Sequence, residues 1–437
     1  MSDDSKPLFS RPVLAAVMLF CTLAIWLLNL SATSSKLPTP QIEKWTTTSG
    51  IPVVWLKQTE WQDSNKLEIR FSFRSATTNI KLIQTTLAML MSDSLPLSTA
   101  SINQRLAPLA ASANSYYDHE SQTIGLTLSN EPQYLTPTLS LVTNWLRQPD
   151  FKPRTFDTWQ TQYQANPPVQ HELENVLFFD KTINMNDSIA DVSLKQVTNY
   201  YQSLKSSAAT IFIVGDMSPE TKQNVKKAMN TISEGYQLSK TSPEAIHYES
   251  VSSTIQQNEG DLWQTRSAIA LMPVASIKEW ISLQIWGADL VSTLNQQQHI
   301  DFVQLAFTLS PHRPWAWWNI QYANDLTKTI NEPSDDVSRL MNAKSLVFVE
   351  QVPSVNDKNN FNKLLDNFTQ QLEQQTLSPT WWSYIATQVT HEDGALTVEQ
   401  FAKGYKEALD SFTIEDYQTA LQRLLKPSSY QEIQVYQ

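Results

Sequence analysis

Few side chains in this sequence have the types and spacing that metal binding or acid–base catalysis requires. Two segments combine histidine with carboxylates. The first, Tyr116 to Glu120, contains Asp118 and His119. It could be a metal or acid–base cluster, but its polar residues directly before a predicted strand favour a turn. The second, His171 to Glu174, has metal-ligand residue types without a partnering motif, which favours a solvated helix or loop.

Several classes of chemistry are excluded by what the chain lacks. Its one cysteine, Cys21, lies in an apolar run, so we expect no disulfide, no cysteine-based zinc cluster and no thiol nucleophile. Only 8 glycines occur, and neither a phosphate-binding loop nor a GxSxG nucleophile motif can be assembled from them. The net charge of -11, without a lysine and arginine cluster, argues against nucleic acid as a partner.

An aromatic run, Trp315-Ala316-Trp317-Trp318, is the most unusual feature of the second half of the chain. In a strand, Trp315 and Trp317 lie on one face and Trp318 on the other. One interpretation is packing in the core and between domains. The other is an aromatic contact for a partner or a peptide.

An apolar run, Pro12 to Leu30, contains no charged side chain. As a helix it is about 28 Å long, close to the ~30 Å hydrocarbon thickness of a bilayer. Lys6 and Arg11 precede it and a single lysine follows closely, so residues 1–11 are predicted to be cytoplasmic. A cleaved signal peptide is the competing interpretation, but the run is long and residues 29–35 lack a convincing cleavage site. We expect a single-pass inner-membrane protein whose bulk is periplasmic.

Beyond a linker, residues 31–44, strand and helix patterns alternate. Leu67 to Phe73 alternates strictly, which predicts a half-buried strand with Glu68 and Arg70 on the face away from the core. Ile80 to Met91 has apolar residues at helical spacing.

The same order of a strand followed by a helix is predicted later in the chain, where a strand from Arg266 to Met272 precedes a helix from Ile277 to about Gln297. We predict an α+β fold of two homologous domains, residues 45–238 and 259–437, joined by a polar linker at 239–258. In each domain, helices pack on one face of a mainly antiparallel sheet.

From Trp45 to the C-terminus, the order of elements resembles the pitrilysin/insulinase family of zinc peptidases. The most extensive similarity lies in residues 192–229, which look like the family's passage of helix, Gly-Asp-ended strand and helix that closes its first domain. Shorter similar phrases are TSGIPVVWL, LEIRFSF and LRQPDF. The resemblance implies a peptidase-like fold in both domains.

In that family, His-x-x-Glu-His on the first long helix supplies two zinc ligands and a general base, and a later helix supplies another glutamate. The matching positions here read Gln84, Leu87 and Ala88. No histidine precedes His119, and residues 156–164 contain no glutamate. The resemblance therefore implies a degenerate member without zinc or another cofactor, and no catalytic residue is assigned.

The family's second domain contributes an arginine and a tyrosine that hold the substrate, expected here near residues 295–307. Neither residue type occurs between Arg266 and Arg313. In two-subunit members a non-catalytic subunit often keeps this pair, so its absence argues against a direct catalytic contribution to a partner.

The leading hypothesis is a catalytically inactive, membrane-anchored subunit that scaffolds or regulates a zinc-bearing homologous peptidase, or binds polypeptides in the periplasm. Trp315, Trp317 and Trp318 are its candidate contacts with a partner or peptide. Two alternatives stay open. One is a peptidase active through a non-standard site, and the other is an envelope structural protein without a peptide ligand.

Overall fold

A computed structural model describes most of the chain after residue 36, namely residues 37–75, 77, 79–165, 173–174, 176–178, 192–239, 248, 253–257, 263–297, 299–323, 358–392 and 394–435. Thr39–Gln437 forms one compact unit by its internal contacts. The predicted transmembrane segment, residues 12–30, lies outside the described residues, as does most of the predicted linker at 239–258. Among the helices that are described, none combines the length and apolar character needed to cross a bilayer.

The first half is built on a six-stranded sheet. Its strands are β1 (Gln41–Thr46), β2 (Pro52–Lys57), β3 (Lys66–Arg74), β4 (Ser112–Tyr117), β5 (Ser121–Ser129) and β6 (Ala208–Val214). They are ordered β1-β2-β6-β3-β5-β4 in space. The β2–β6 pair is parallel, and the other pairs are antiparallel.

Helices cover one face of this sheet. They are α1 (Ile80–Met91), α2 (Ile102–Leu106), α3 (Pro132–Arg147), α4 (Pro153–Ala165), α5 (Leu194–Lys205) and α6 (Pro219–Ile232). The alternation in β3 sends Leu67, Ile69, Phe71 and Phe73 into the same hydrophobic core as Leu87 of α1. Side chains just before the first turns of α1, α2, α5 and α6 cap the helices by accepting backbone N–H groups: Asn79, Ser101, Ser193 and Ser218.

The second half repeats the plan on a five-stranded sheet. Its strands are β7 (Ser253–Gln257), β8 (Gln264–Ala270), β9 (Ile300–Thr308), β10 (Trp315–Tyr322) and β11 (Gln431–Val435). The helices are α7 (Ile277–Asn295), α8 (Lys358–Gln375), α9 (Pro379–Tyr384), α10 (Val398–Asp410) and α11 (Ile414–Leu424). A π-helical turn, Ile385–Val389, continues α9.

The two sheets share one topology. The order β7-β11-β8-β10-β9 repeats β2-β6-β3-β5-β4 strand for strand. The one parallel pair also recurs, because β7 and β11 run parallel while their neighbours pair antiparallel. The predicted α+β architecture of two similar, mainly antiparallel halves is therefore confirmed, while the domain boundaries stay predictions.

Candidate functional site

The three residues that the sequence resemblance matches to a zinc motif, Gln84, Leu87 and Ala88, lie in α1. Gln84 and Leu87 are buried, and Ala88 is half-buried. The Oε1 atom of Gln84 has no hydrogen-bond partner among the described residues. Helix α4 packs against this part of α1, where the indole Nε1 of Trp159 donates to Thr85 Oγ1 at 3.2 Å.

These side chains do not fit a divalent cation. Zinc is bound by cysteine sulfur, histidine nitrogen or carboxylate oxygen, whereas this helix offers one amide oxygen, an isobutyl group and a methyl group. Within the described part of the chain, no group of three or more His, Cys, Asp or Glu residues is arranged to hold a metal ion. That the protein works without zinc remains a prediction.

The face of the first sheet opposite its helices, here called its inner face, is covered at β3 and β6 by the second half of the chain. Glu68 and Arg70 of β3 are buried there, and Glu68 Oε2 lies 2.6 Å from Arg70 Nη2. Thr127 Oγ1 donates to Glu68 Oε2 at 2.8 Å, and Thr380 Oγ1 of α9 donates to Glu68 Oε1 at 2.6 Å. The prediction of a half-buried strand is thus wrong, because α9 packs on the polar face of β3.

The inner face of the second sheet is covered in turn by residues 173–174 and 176–178 of the first half. Leu173, Leu177 and Phe178 form a cluster with Trp315, whose ring lies edge-on to Phe178 at 6.1 Å between centroids. Each half therefore covers the other's sheet. Glu174, predicted to be solvated, is buried because its neighbours at 173 and 177 belong to this cluster.

The tryptophans of residues 315–318 lie on the two faces of β10, as the alternation of side chains in a strand predicts. Trp315 and Trp318 are both 0% exposed. Trp318 lies on the helical face, 6.2 Å from the ring of Trp286 in α7. Packing, and not partner contact, accounts for these two residues. Trp317 is half-buried on the inner face and keeps accessible surface.

Two turns join the halves through charged side chains. Tyr116 to Glu120 forms the end of β4 and the turn into β5, as predicted. Glu120 accepts the backbone N–H of His312 at 3.0 Å, and its Oε2 lies 2.9 Å from His312 Nδ1. Next to this contact, His119 Nε2 lies 3.1 Å from Glu174 Oε1.

Burial changes the acidity of two carboxyl groups at this junction. Burial, with a smaller effect of Glu120, raises the pKa of Asp118 to about 6. Burial and the charge of Asp118 raise the pKa of Glu174 well above its usual range. A raised pKa suits a general acid, but these groups are only 5% and 3% exposed and cannot reach a substrate. Asp118 instead holds the β4–β5 turn by accepting the backbone N–H groups of Glu120 and Ser121, and Glu174 pairs with His119.

Strand β4 forms one edge of the first sheet, pairing only with β5 among the described strands. On its inner face Ser112 and Asn114 are exposed. Gly125 of β5 lies under Asn114, and a Cβ at that glycine would lie 2.1 Å from Asn114 Oδ1. This strand is not predicted by the sequence pattern. Its sequence, SANSYY, is polar and does not alternate strongly between apolar and polar residues. The pairing of Asn114 with Gly125 follows once β4 and β5 are recognised as a hairpin.

Solved structures with this architecture include peptidases and an inactive peptidase domain. The inactive domain of an M16 peptidase from Pseudomonas fluorescens matches 91% of this chain and 98% of its own length, with a TM-score of 0.65 and 14% identity. A protease from Helicobacter pylori matches 91% of this chain and 100% of its own, with a TM-score of 0.67 and 10% identity. The periplasmic protease PqqL from Escherichia coli gives a TM-score of 0.61 and 15% identity, covering 91% of this chain and 46% of PqqL.

By sequence alone, no family model and no curated protein matches the chain. The relationship is thus carried by structure. It extends over nine-tenths of the chain and includes both sheets. The fold is that of the M16-type, or pitrilysin/insulinase, peptidases, as the sequence resemblance predicted.

Proposed function

We propose that this chain, which has the fold of M16-type peptidases, is a catalytically inactive peptidase-like subunit that holds extended polypeptide and pairs with a zinc-bearing homologue. The observation that carries this proposal is the composition of α1. The sequence resemblance matches Gln84, Leu87 and Ala88 to two zinc ligands and a general base, and two of these three side chains have no atom able to bind a cation.

The size of the chain supports a paired arrangement. It matches 46% of PqqL, so one larger peptidase contains about two units of this size. The Pseudomonas fluorescens protein with the same fold is described as an inactive domain of a peptidase. A chain of this kind would supply one half of an enclosure, and a homologue with an intact His-x-x-Glu-His would supply the chemistry.

The β4 edge and the adjoining inner face are the proposed polypeptide site. An edge strand offers unpaired N–H and C=O groups to which an extended peptide can add as another strand, whatever its sequence. The exposed Ser112 and Asn114 lie beside this edge, and the half-buried Trp317 lies on the inner face of the second sheet. Main-chain pairing would give affinity, with little demand on side-chain sequence.

Residues 12–30 are the proposed anchor. Their length and lack of charge suit a single inner-membrane span, and the preceding positive charges favour a cytoplasmic N-terminus with the two halves in the periplasm. Such an anchor would keep the polypeptide-binding half close to the membrane across which its ligands are exported.

The test is capture of the full-length chain, with a C-terminal tag, from gently solubilised membranes, followed by mass spectrometry and metal analysis. We expect a near-equimolar homologue with an intact zinc motif and far less than one zinc per copy of this chain after the partner is removed. An unrelated tagged membrane protein of similar topology is the control. A solitary chain carrying stoichiometric zinc would overturn the proposal in favour of an active peptidase with a non-standard site. A solitary, metal-free chain without peptides would favour a structural protein.

A further inference from the structure

One side chain occupies part of the β4 edge. The backbone N–H of Ala113 donates to Asn103 Oδ1 at 2.7 Å, and Asn103 Nδ2 donates to the carbonyl oxygen of Ala113 at 2.9 Å. One donor and one acceptor of the strand are thus satisfied by one amide group. This is the pair of bonds that a peptide residue of an added antiparallel strand would make.

The element that presents Asn103 is short but well fixed. Helix α2 has a capping box formed by Ser101 and Gln104, and its Ile102 and Leu106 are buried in the core. The side chain of Asn103 itself is exposed. It can therefore rotate away from β4 without opening a cavity, at the cost of two hydrogen bonds.

The next edge position along β4 differs. Backbone groups of an edge strand point alternately toward the sheet and away from it, so Ser115 projects its N–H and C=O outward as Ala113 does. Within the described residues, no side chain is seen to bond the outward N–H and C=O of Ser115 as Asn103 bonds those of Ala113. Among the described residues, the edge is thus closed at Ala113 and open two residues later, at Ser115.

We infer that Asn103 is a latch on the polypeptide-holding edge, and this inference rests on the proposed function. While the Asn103 amide is bonded to Ala113, an extended polypeptide can pair with β4 only from Ser115 onward. When the amide rotates away, pairing extends over Ala113 and gains two main-chain hydrogen bonds. Asn103 therefore sets the length of polypeptide that the edge accepts, and the ligand class is an extended chain recognised through its backbone.

The test compares peptide binding by the full-length chain in detergent and its Asn103→Ala, Asn103→Asp and Gln104→Ala variants. The probe is a fluorescein-labelled octapeptide of alternating serine and valine, followed by fluorescence anisotropy. Asn103→Ala is expected to bind about tenfold more tightly, since the peptide no longer displaces two hydrogen bonds. Asn103→Asp keeps the acceptor but loses the donor, so its affinity should lie between the two.

Hydrogen exchange gives a second readout. The Ala113 amide should exchange at least tenfold faster in Asn103→Ala than in the wild-type chain, and bound octapeptide should slow it again. Gln104→Ala removes the capping box but leaves the Asn103 amide in place, and should bind like the wild type. Equal affinity of wild type and Asn103→Ala would overturn the latch while the proposed function stands. Tighter binding by Gln104→Ala would also overturn it, since loosening of α2 would then be the cause. No binding by any variant would overturn both proposals.

Discussion

Replacing Glu68 with alanine tests the covering of the first sheet by the second half of the chain. Glu68 is fully buried and bonded to Arg70, Thr127 and Thr380. Its removal leaves the Arg70 guanidinium buried without a counter-charge, which costs about 3–5 kcal/mol. At about 2–4 °C per kcal/mol for a half of this size, Tm should fall by about 6 °C or more. The assay is thermal unfolding of the full-length chain in detergent.

A matched control is Glu43→Ala, which breaks the ion pair with Lys222 on the surface, where Glu43 Oε1 lies 2.6 Å from Lys222 Nζ. Those side chains are 35% and 26% exposed, so the loss should stay below about 1 kcal/mol. Combining Glu68→Leu with Arg70→Met should recover most of the stability lost in Glu68→Ala, because no buried charge remains. If Glu68→Ala unfolds at the same temperature as Glu43→Ala, the buried ion pair and its contact with α9 are refuted.

Three further outcomes follow from the site. The folded pKa of Asp118, about 6, exceeds its ordinary value of 3.8, so its contribution to stability is fully present below pH 3.8 and is lost as the pH rises through 6. The Tm of wild type relative to Asp118→Asn should therefore fall between pH 4 and 7, and a constant difference would contradict this. The triple variant Gln84→His, Leu87→Glu, Ala88→His should lose stability, because a carboxylate replaces a buried leucine, and should regain part of it with zinc but show no peptidase activity. Trp315→Ala should lose about 3–5 kcal/mol in denaturant unfolding, since the indole is fully buried, and a loss below 1 kcal/mol would contradict its place in the cluster with Phe178.

The sequence was sufficient to predict a strand or a helix where one face of that element is strongly apolar. The alternation of Leu67 to Phe73 identified β3, which runs from Lys66 to Arg74, and helical spacing identified α1. The start of α6 has a comparable local signal, because Ser218 is a hydroxyl cap and Pro219 stands at the first helical position, where each has a direct physical role.

The same reasoning could not recover contacts between the halves. Periodicity tells which face of a strand meets its own helices, but a polar face can meet solvent or another part of the chain. Glu68 and Arg70 have the pattern of an open face, and their partner Thr380 is distant in sequence. Strand β4 was missed for a related reason. Of the six residues of β4 only Ala113 is buried, so the segment shows no repeated alternation of apolar and polar side chains.

The interlocked covering of the two sheets also orders events in time. Glu68 and Thr380 are separated by 312 positions in the chain. At a synthesis rate of about 5–20 residues per second, on the order of 15–60 seconds pass between their appearance. The first half is complete only when Ile232, the end of α6, has been made, so it has its helical core but lacks the cover of its polar face for about the second half of that interval. During that period a nascent chain of this protein carries a first sheet whose polar face is uncovered, and chaperones that bind exposed strands have their opportunity then.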